Sequence, residues 1–284
     1  MPNLTHAPDL TFNDGRTIPQ LGLGVWQVAD DIAADVVRTA IETGYRHVDT
    51  ARIYDNEVGV GRGIAASDVD RDELFVTTKL WNSDQGGSDV VRAAFDASLG
   101  RLGLDAVDLY LIHWPAPAQD RYVDTWSTLV ELRDEGRARS IGVSNFHAPH
   151  LERIVEATGV VPAINQVELH PYFQQRELRA THERLGVATQ AWSPLGQGGE
   201  LLADPVITAI AGELDGDVTP AQVVLRWHLQ RGLVTIPKSQ NPGRIAQNLD
   251  VFGFELDDDQ LARIDGLDRG EAGRIGPNPE LANF

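Results

Sequence analysis

The sequence predicts a closed (β/α)8 barrel, an α/β fold of the TIM-barrel type, with an N-terminal β-hairpin at about residues 9–20 and an irregular tail at 267–284. Three observations point there. Eight short apolar runs alternate with helical patterns along the chain. No shift in composition marks a linker, so residues 1–284 are expected to form one domain, with the barrel at about 21–266. The Gly-rich fingerprint of an open dinucleotide-binding sheet is also missing. The nearest tract, GVGRG at 59–63, lies inside a helical pattern rather than leaving a strand, and is not expected to be a phosphate loop.

The elements follow in order. LTFNDGRTIPQLG places two short apolar arms around Asn13-Asp14-Gly15, a strong hairpin signal. The first four barrel strands are LGLGVWQV (21–28), YRHVDT (45–50), LFVTTKLW (74–81) and VDLYLIHW (107–114). The second four are ARSIGVSN (138–145), PAINQVEL (162–169), VATQAWSP (187–194) and LVTIPKS (233–239). Between them lie helical patterns such as DIAADVVRTAIETG, SDVVRAAFDASLGRLG and TPAQVVLRWHLQRG, several ending in Gly as helix stops do. The run ELDDDQ at 255–260 sets carboxylates at a helix start, where the macrodipole favours them.

Composition excludes several functions. A formal net charge of −18 argues against nucleic acid and against an anionic membrane surface, both of which need a basic face. The chain has no cysteine, and so no disulfide, thiolate metal site or cysteine nucleophile. The start MPNLTHAPDL lacks the basic end and apolar run of a secretory signal, and no segment approaches ~18 uninterrupted apolar residues. A soluble, cytoplasmic protein is expected. His147 and His150 flank Pro149 with no third ligand in view, so no metal site is expected.

A barrel carries its chemistry at the C-terminal ends of its strands. In this chain those ends carry polar groups. Asp49 ends the second strand, with Tyr54 just beyond; Lys79 ends the third and His113 the fourth. Each alone reads as readily as a cap, a packing residue or a core histidine. Together, on three consecutive strands at one rim, they read as one site. A tyrosine has an unperturbed pKa of ~10, but an ammonium about 4 Å away at an effective dielectric of ~20 stabilises the phenolate by ~4 kcal/mol, about three pKa units. Tyr54 is therefore expected to be the acid, Lys79 the group that acidifies it and Asp49 the holder of Lys79. His113, neutral, would steer an oxygen by donating one N–H. The set contains no nucleophile; it suits protonation of a carbonyl oxygen beside a hydride donor.

The segments DTARIYDNE, TTKLW, YLIHWP, SIGVSNF and IPKS, all in order, resemble the motifs of the aldo-keto reductases, with AWSPLGQG similar to the bacterial branch that includes 2,5-diketo-gluconate reductases. The likeness runs from the hairpin to about Gly266. It implies reversible, NADPH-dependent reduction of aldehydes and ketones by a barrel whose catalytic tetrad matches Asp49, Tyr54, Lys79 and His113.

The second half of the chain then reads as a cofactor cradle. Ser144, Asn145 and Gln166 suit a nicotinamide carboxamide, where the resemblance places them, and Trp192 offers a flat face to the ring. Ser193, Leu195, Gln197 and Gly198 form a Gly-rich loop able to turn N–H groups towards a pyrophosphate. Lys238, Ser239 and Arg244 converge at a helix start as an anion site, which the resemblance assigns to the adenosine 2′-phosphate; Gln247 and Asn248 match adenine contacts. Val25, Trp26, Trp81 and Trp114 are expected to wall the pocket against a small carbonyl substrate such as a dicarbonyl, a keto-sugar or an aromatic aldehyde. The resemblance implies that the tail folds over the site. The expected protein is a monomeric enzyme without an obligate partner. The competing expectation is an NADPH-binding regulatory or sensor subunit with little turnover.

Overall fold

The structure, a computed structural model, describes residues 7–282. The expected hairpin is an antiparallel pair, β1 (Asp9–Thr11) and β2 (Thr17–Pro19). Eight parallel strands follow in sequence order: β3 (Leu23–Gly24), β4 (His47–Asp49), β5 (Phe75–Leu80), β6 (Val107–Ile112), β7 (Ala138–Ser144), β8 (Ile164–Glu168), β9 (Ala188–Trp192) and β10 (Val234–Thr235). Parallel bridges from Leu21 to Thr235 and from Gly24 to Lys238 join the outermost strands, so the sheet closes into the (β/α)8 barrel. The seam strands are shorter than the runs 21–28 and 233–239. Past Thr235 the chain reaches Pro237, which has no N–H to continue a ladder and can only accept from Gly24.

The barrel is wrapped by α1 (Asp30–Thr43), α2 (Glu57–Ala65), α3 (Ser88–Leu102), α4 (Tyr122–Asp134), α5 (Ala148–Thr158) and α6 (Arg176–Leu185), followed by α7 (Pro205–Glu213), α8 (Pro220–Gln230), α9 (Pro242–Leu249) and α10 (Asp258–Asp265). Their ends carry the expected chemistry. Gly44, Gly103, Gly159 and Gly186 stop α1, α3, α5 and α6, and Thr219 with Gln222 forms a capping box on α8. The sequence reading has no helix at 205–213; α7 is started there by Asp204, whose side chain accepts the Val206 N–H.

GVGRG lies within α2, as its helical surroundings indicate. A Cβ on Gly59 would sit 2.4 Å from the Asp30 carbonyl, and one on Gly61 2.2 Å from the Leu102 carbonyl. These glycines let α2 press against α1 and the end of α3.

The hairpin seals one end of the barrel. Phe12 and Ile18 pack with Phe75, Ala163, Ile164 and Val234, which begin or precede their strands, and with Leu109 and Leu111 in the interior. Asn13 donates to the carbonyls of Pro162 and Gly186, and Asp14 accepts from Ser140. With the N-terminal end closed, a cavity opens at the opposite rim. No helix among the described residues is long and apolar enough to cross a membrane.

Candidate active site

Parallel register brings the strand-end groups together. Asp49 ends β4, and Lys79 lies near the end of β5, two residues beyond Thr77, the partner of Asp49. The Lys79 ammonium, fully buried, donates to Asp49 Oδ1 at 2.5 Å, to the Thr50 carbonyl at 2.9 Å and to the Tyr54 hydroxyl at 3.5 Å. His113 stands edge-on to Tyr54, ring centroids 5.7 Å apart, and edge-on to Trp81 at 5.2 Å. Asp49, Tyr54 and His113 line one cavity of about 1100 Å³. Lys79 lies beneath its floor.

The loop carrying Tyr54 is pinned by residues that sequence reasoning missed. Thr50 donates to Asn56, whose amide in turn donates to the carbonyls of Val25 and Val28. Glu57, buried, accepts from Thr78 and pairs with Arg101. A polar cluster at the end of RHVDTARIYDNE was visible in the sequence, but its partners come from three other elements.

Electrostatics correct one expectation. Burial pushes the Tyr54 phenol above its ordinary value; Lys79 pulls it down without overcoming burial, and Asp49 adds to the rise. In the resting site the phenol is thus firmly protonated rather than acidified, because water is lost and the Lys79 contact is long. Burial likewise raises the Asp49 carboxyl against the pull of Lys79 and Gln166. Burial opposes the Lys79 charge, yet Asp49 and Tyr54 together hold it above the usual lysine range. Burial, aided by Lys79, drives His113 well below the usual imidazole range, so it is neutral.

Ser144, Asn145, Gln166 and Trp192 all line the cavity, bonded to one another. Gln166 spends its amide N–H groups on Asp49 Oδ2 (2.7 Å) and Gln190 (3.1 Å). Asn145, in a left-handed backbone conformation (φ 62°), donates to the His113 carbonyl and to Ser144 Oγ, and accepts the Trp192 indole N–H at 2.8 Å. Ser193, Leu195, Gln197 and Gly198 line the cavity further out, and Lys238, Ser239, Arg244, Gln247 and Asn248 belong to the same wall. The Ser239 hydroxyl turns the chain by bonding to the Asn241 backbone, and Asn241 caps α9 at the Arg244 N–H.

Lys238 and Arg244 are exposed and form no ion pair among the described residues. In a chain with 42 acidic and 24 basic residues, two uncompensated cations on one cavity wall fit a phosphorylated dinucleotide.

Trp26, Trp81 and Trp114 line the opening, but Val25 does not. Its side chain is fully buried in the apolar layer between barrel and helices, while its backbone bonds to Asp49 and Asn56. The strand pairing ends at Gly24, and the chain turns at Trp26, which is exposed at the mouth while Val25 stays buried behind it. Sequence reasoning also missed Ile53, Leu202, Thr219, Pro220, Ala221 and Ile236, together with Gly276 and Pro277 from the tail. His147 and His150 bracket a tail carboxylate, Glu280, at 2.9 and 3.4 Å.

Comparison with known proteins gives a consistent result. The profile of the Aldo/keto reductase family matches residues 20–269. An aldo-keto reductase of Mycolicibacterium smegmatis is 56% identical over 98% of this chain and 99% of its own length. Methylglyoxal reductase DkgA of Yersinia pestis is 50% identical over 98% of each chain. The crystal structure of a Gox0644 variant in complex with NADPH superposes with a TM-score of 0.93 at 54% identity, covering 98% of this chain and 99% of that one.

Proposed function

The chain belongs to the aldo/keto reductase family, and from that premise we propose that it reduces aldehydes and ketones to alcohols with NADPH, small dicarbonyls such as methylglyoxal among them, with Tyr54 as proton donor. The observation that carries this reading is the meeting of Tyr54, Lys79 and His113 at the floor of a cavity whose outer wall offers Lys238 and Arg244.

On this reading Lys238, Ser239 and Arg244 take the 2′-phosphate, with Gln247 and Asn248 beside the adenine. The loop from Ser193 through Leu195, Gln197 and Gly198 receives the pyrophosphate. Ser144, Asn145 and Gln166 hold the carboxamide, and Trp192 covers the ring. NADPH supplies the hydride that turns the carbonyl carbon into a carbinol carbon.

The chain's own residues govern the oxygen. His113, neutral, aims an N–H at it, while Tyr54 donates its proton as negative charge builds there. Lys79 becomes decisive at that moment, because its fixed ammonium stabilises the phenolate left behind. Asp49 keeps the ammonium charged and in place. Trp26, Trp81, Trp114 and Ile53 present apolar surface around this polar floor. The reading also takes the protein to be a cytoplasmic monomer, which light scattering would check for mass.

The test is NADPH consumption with methylglyoxal, 4-nitrobenzaldehyde and a keto-sugar, for the unsubstituted enzyme and for Tyr54→Phe. Tyr54→Phe is expected to bind NADPH with unchanged fluorescence quenching and to lose at least 99% of turnover. Retention of more than a tenth of the activity would remove Tyr54 from the donor role. Binding without oxidation across the panel would mean a sensor rather than an enzyme.

A further inference from the structure

Glu168 ends β8, two residues beyond Gln166, and the roles assigned above leave it unused. Its carboxylate is buried, at 1% exposure, and a buried carboxylate needs donors. Two of them come from the tail: the Ile275 N–H reaches Oε1 at 2.6 Å and the Gly276 N–H reaches Oε2 at 2.8 Å. The third is the His170 ring at 3.1 Å, on Oε1. Each carboxylate oxygen thus grips one backbone amide of the same dipeptide.

That dipeptide adjoins the reaction cavity. Gly276 and Pro277 line it beside Trp192. A Cβ on Gly276 would fall 2.5 Å from the Trp192 ring and 2.9 Å from Glu168 Oε2, so only glycine allows the tail this close. Trp192 is the register partner of Glu168 across β8 and β9, and its indole N–H is bonded to Asn145, which bonds in turn to the His113 carbonyl. One chain of contacts runs from the tail to the floor.

We propose that Glu168 is a positioning residue for carbonyl reduction: its two-oxygen grip on Ile275 and Gly276 fixes the tail as a cavity wall and, through Gly276, fixes the Trp192 indole. The proposal rests on the reading of this cavity as the site of reduction. It makes the tail's order depend on a polar clamp rather than on apolar packing, and the exposure of the Ile275 side chain (46%) agrees with that. A glutamine at 168 retains the shape but presents one acceptor oxygen, so one of the two amides must lose its bond.

The experiment compares unsubstituted enzyme, E168Q, G276A and the double variant, each as holoenzyme, by steady-state kinetics with methylglyoxal and by amide hydrogen exchange. E168Q should speed exchange at Ile275 and Gly276 at least tenfold, with the β8 amides unchanged. It should raise the methylglyoxal KM at least fivefold with kcat changed less than twofold. G276A, which pushes the same wall from the tail side, should raise KM similarly, and the double variant should add little to either single one. Unchanged exchange in E168Q, faster exchange with unchanged KM, or fully additive effects would each overturn the positioning role while leaving carbonyl reduction intact. Absence of reduction by the unsubstituted enzyme would bring down the underlying reading and the positioning role with it, and the exchange result would still separate the clamp from the chemistry.

Discussion

The Lys79 ammonium lies 2.5 Å from the Asp49 carboxylate, with 0% and 2% of the two side chains exposed. Removing one partner of such a buried pair leaves the other uncompensated, at a cost of about 3–5 kcal/mol. Lys79→Met is therefore expected to lower the melting temperature by roughly 10 °C, at ~2–4 °C per kcal/mol for a chain somewhat over this size class. It should also abolish reduction. Calorimetry beside an activity assay checks both, and a Lys79→Met protein melting within 2 °C of the parent would contradict the pairing.

Catalysis should be insensitive to pH over a wide window. On the proposed roles, reduction needs Tyr54 protonated and His113 neutral, and burial moves the first upward and the second downward. Both limbs of the profile for kcat/KM of the carbonyl then fall outside about pH 7–9, a window between the ordinary histidine and tyrosine values. Alcohol oxidation, which starts from the phenolate, should instead rise with pH through that window. A reduction profile falling with an apparent pKa below 9 would mean that Lys79 outweighs burial after all.

Stability has the opposite character. Burial lowers His47 to about 3 and His182 and His228 to about 4, against 6.5 for an ordinary imidazole. These bases are depressed in the folded state, so the unfolded chain binds more protons. The stability present above pH 6.5 is lost as pH falls towards 4. Each histidine should cost on the order of 1–2 kcal/mol between pH 7 and pH 5. Urea unfolding at the two pH values measures this, and equal midpoints would refute it.

Arg244→Ala should raise the KM for NADPH at least tenfold while changing kcat and the KM for NADH little. The guanidinium belongs to the first turn of α9, has no ion pair among the described residues, and suits a phosphate that NADH lacks. Steady-state titration with both cofactors decides it. A parallel rise for NADH would show that Arg244 holds some other part of the dinucleotide.

How far the sequence could be read depends on what fixes each residue. Asp49, Lys79 and His113 lie at or next to the ends of strands whose order and register follow from right-handed β/α alternation, so their convergence was legible in one dimension. Trp26 was legible for the same reason. Val25, one position earlier, was misread because a strand of two paired residues gives alternation little to anchor on. The direction in which Tyr54 titrates was not legible, since burial and a 3.5 Å ammonium contact compete and only coordinates weigh them. The partners of Glu168 and of the His147–His150 pair were hidden too. Both lie in a Gly- and Pro-rich tail whose path has no periodic signal, with 107 residues separating Glu168 from Ile275.

The hairpin plug bears on practical use of the protein. Because β1 and β2 close the end of the barrel opposite the cavity, a surface tether or fused module joined on that side faces away from incoming small molecules. An attachment on the face that carries Ile275 and Gly276 would instead load the segment that Glu168 grips, so the two faces are not equivalent handles for immobilisation.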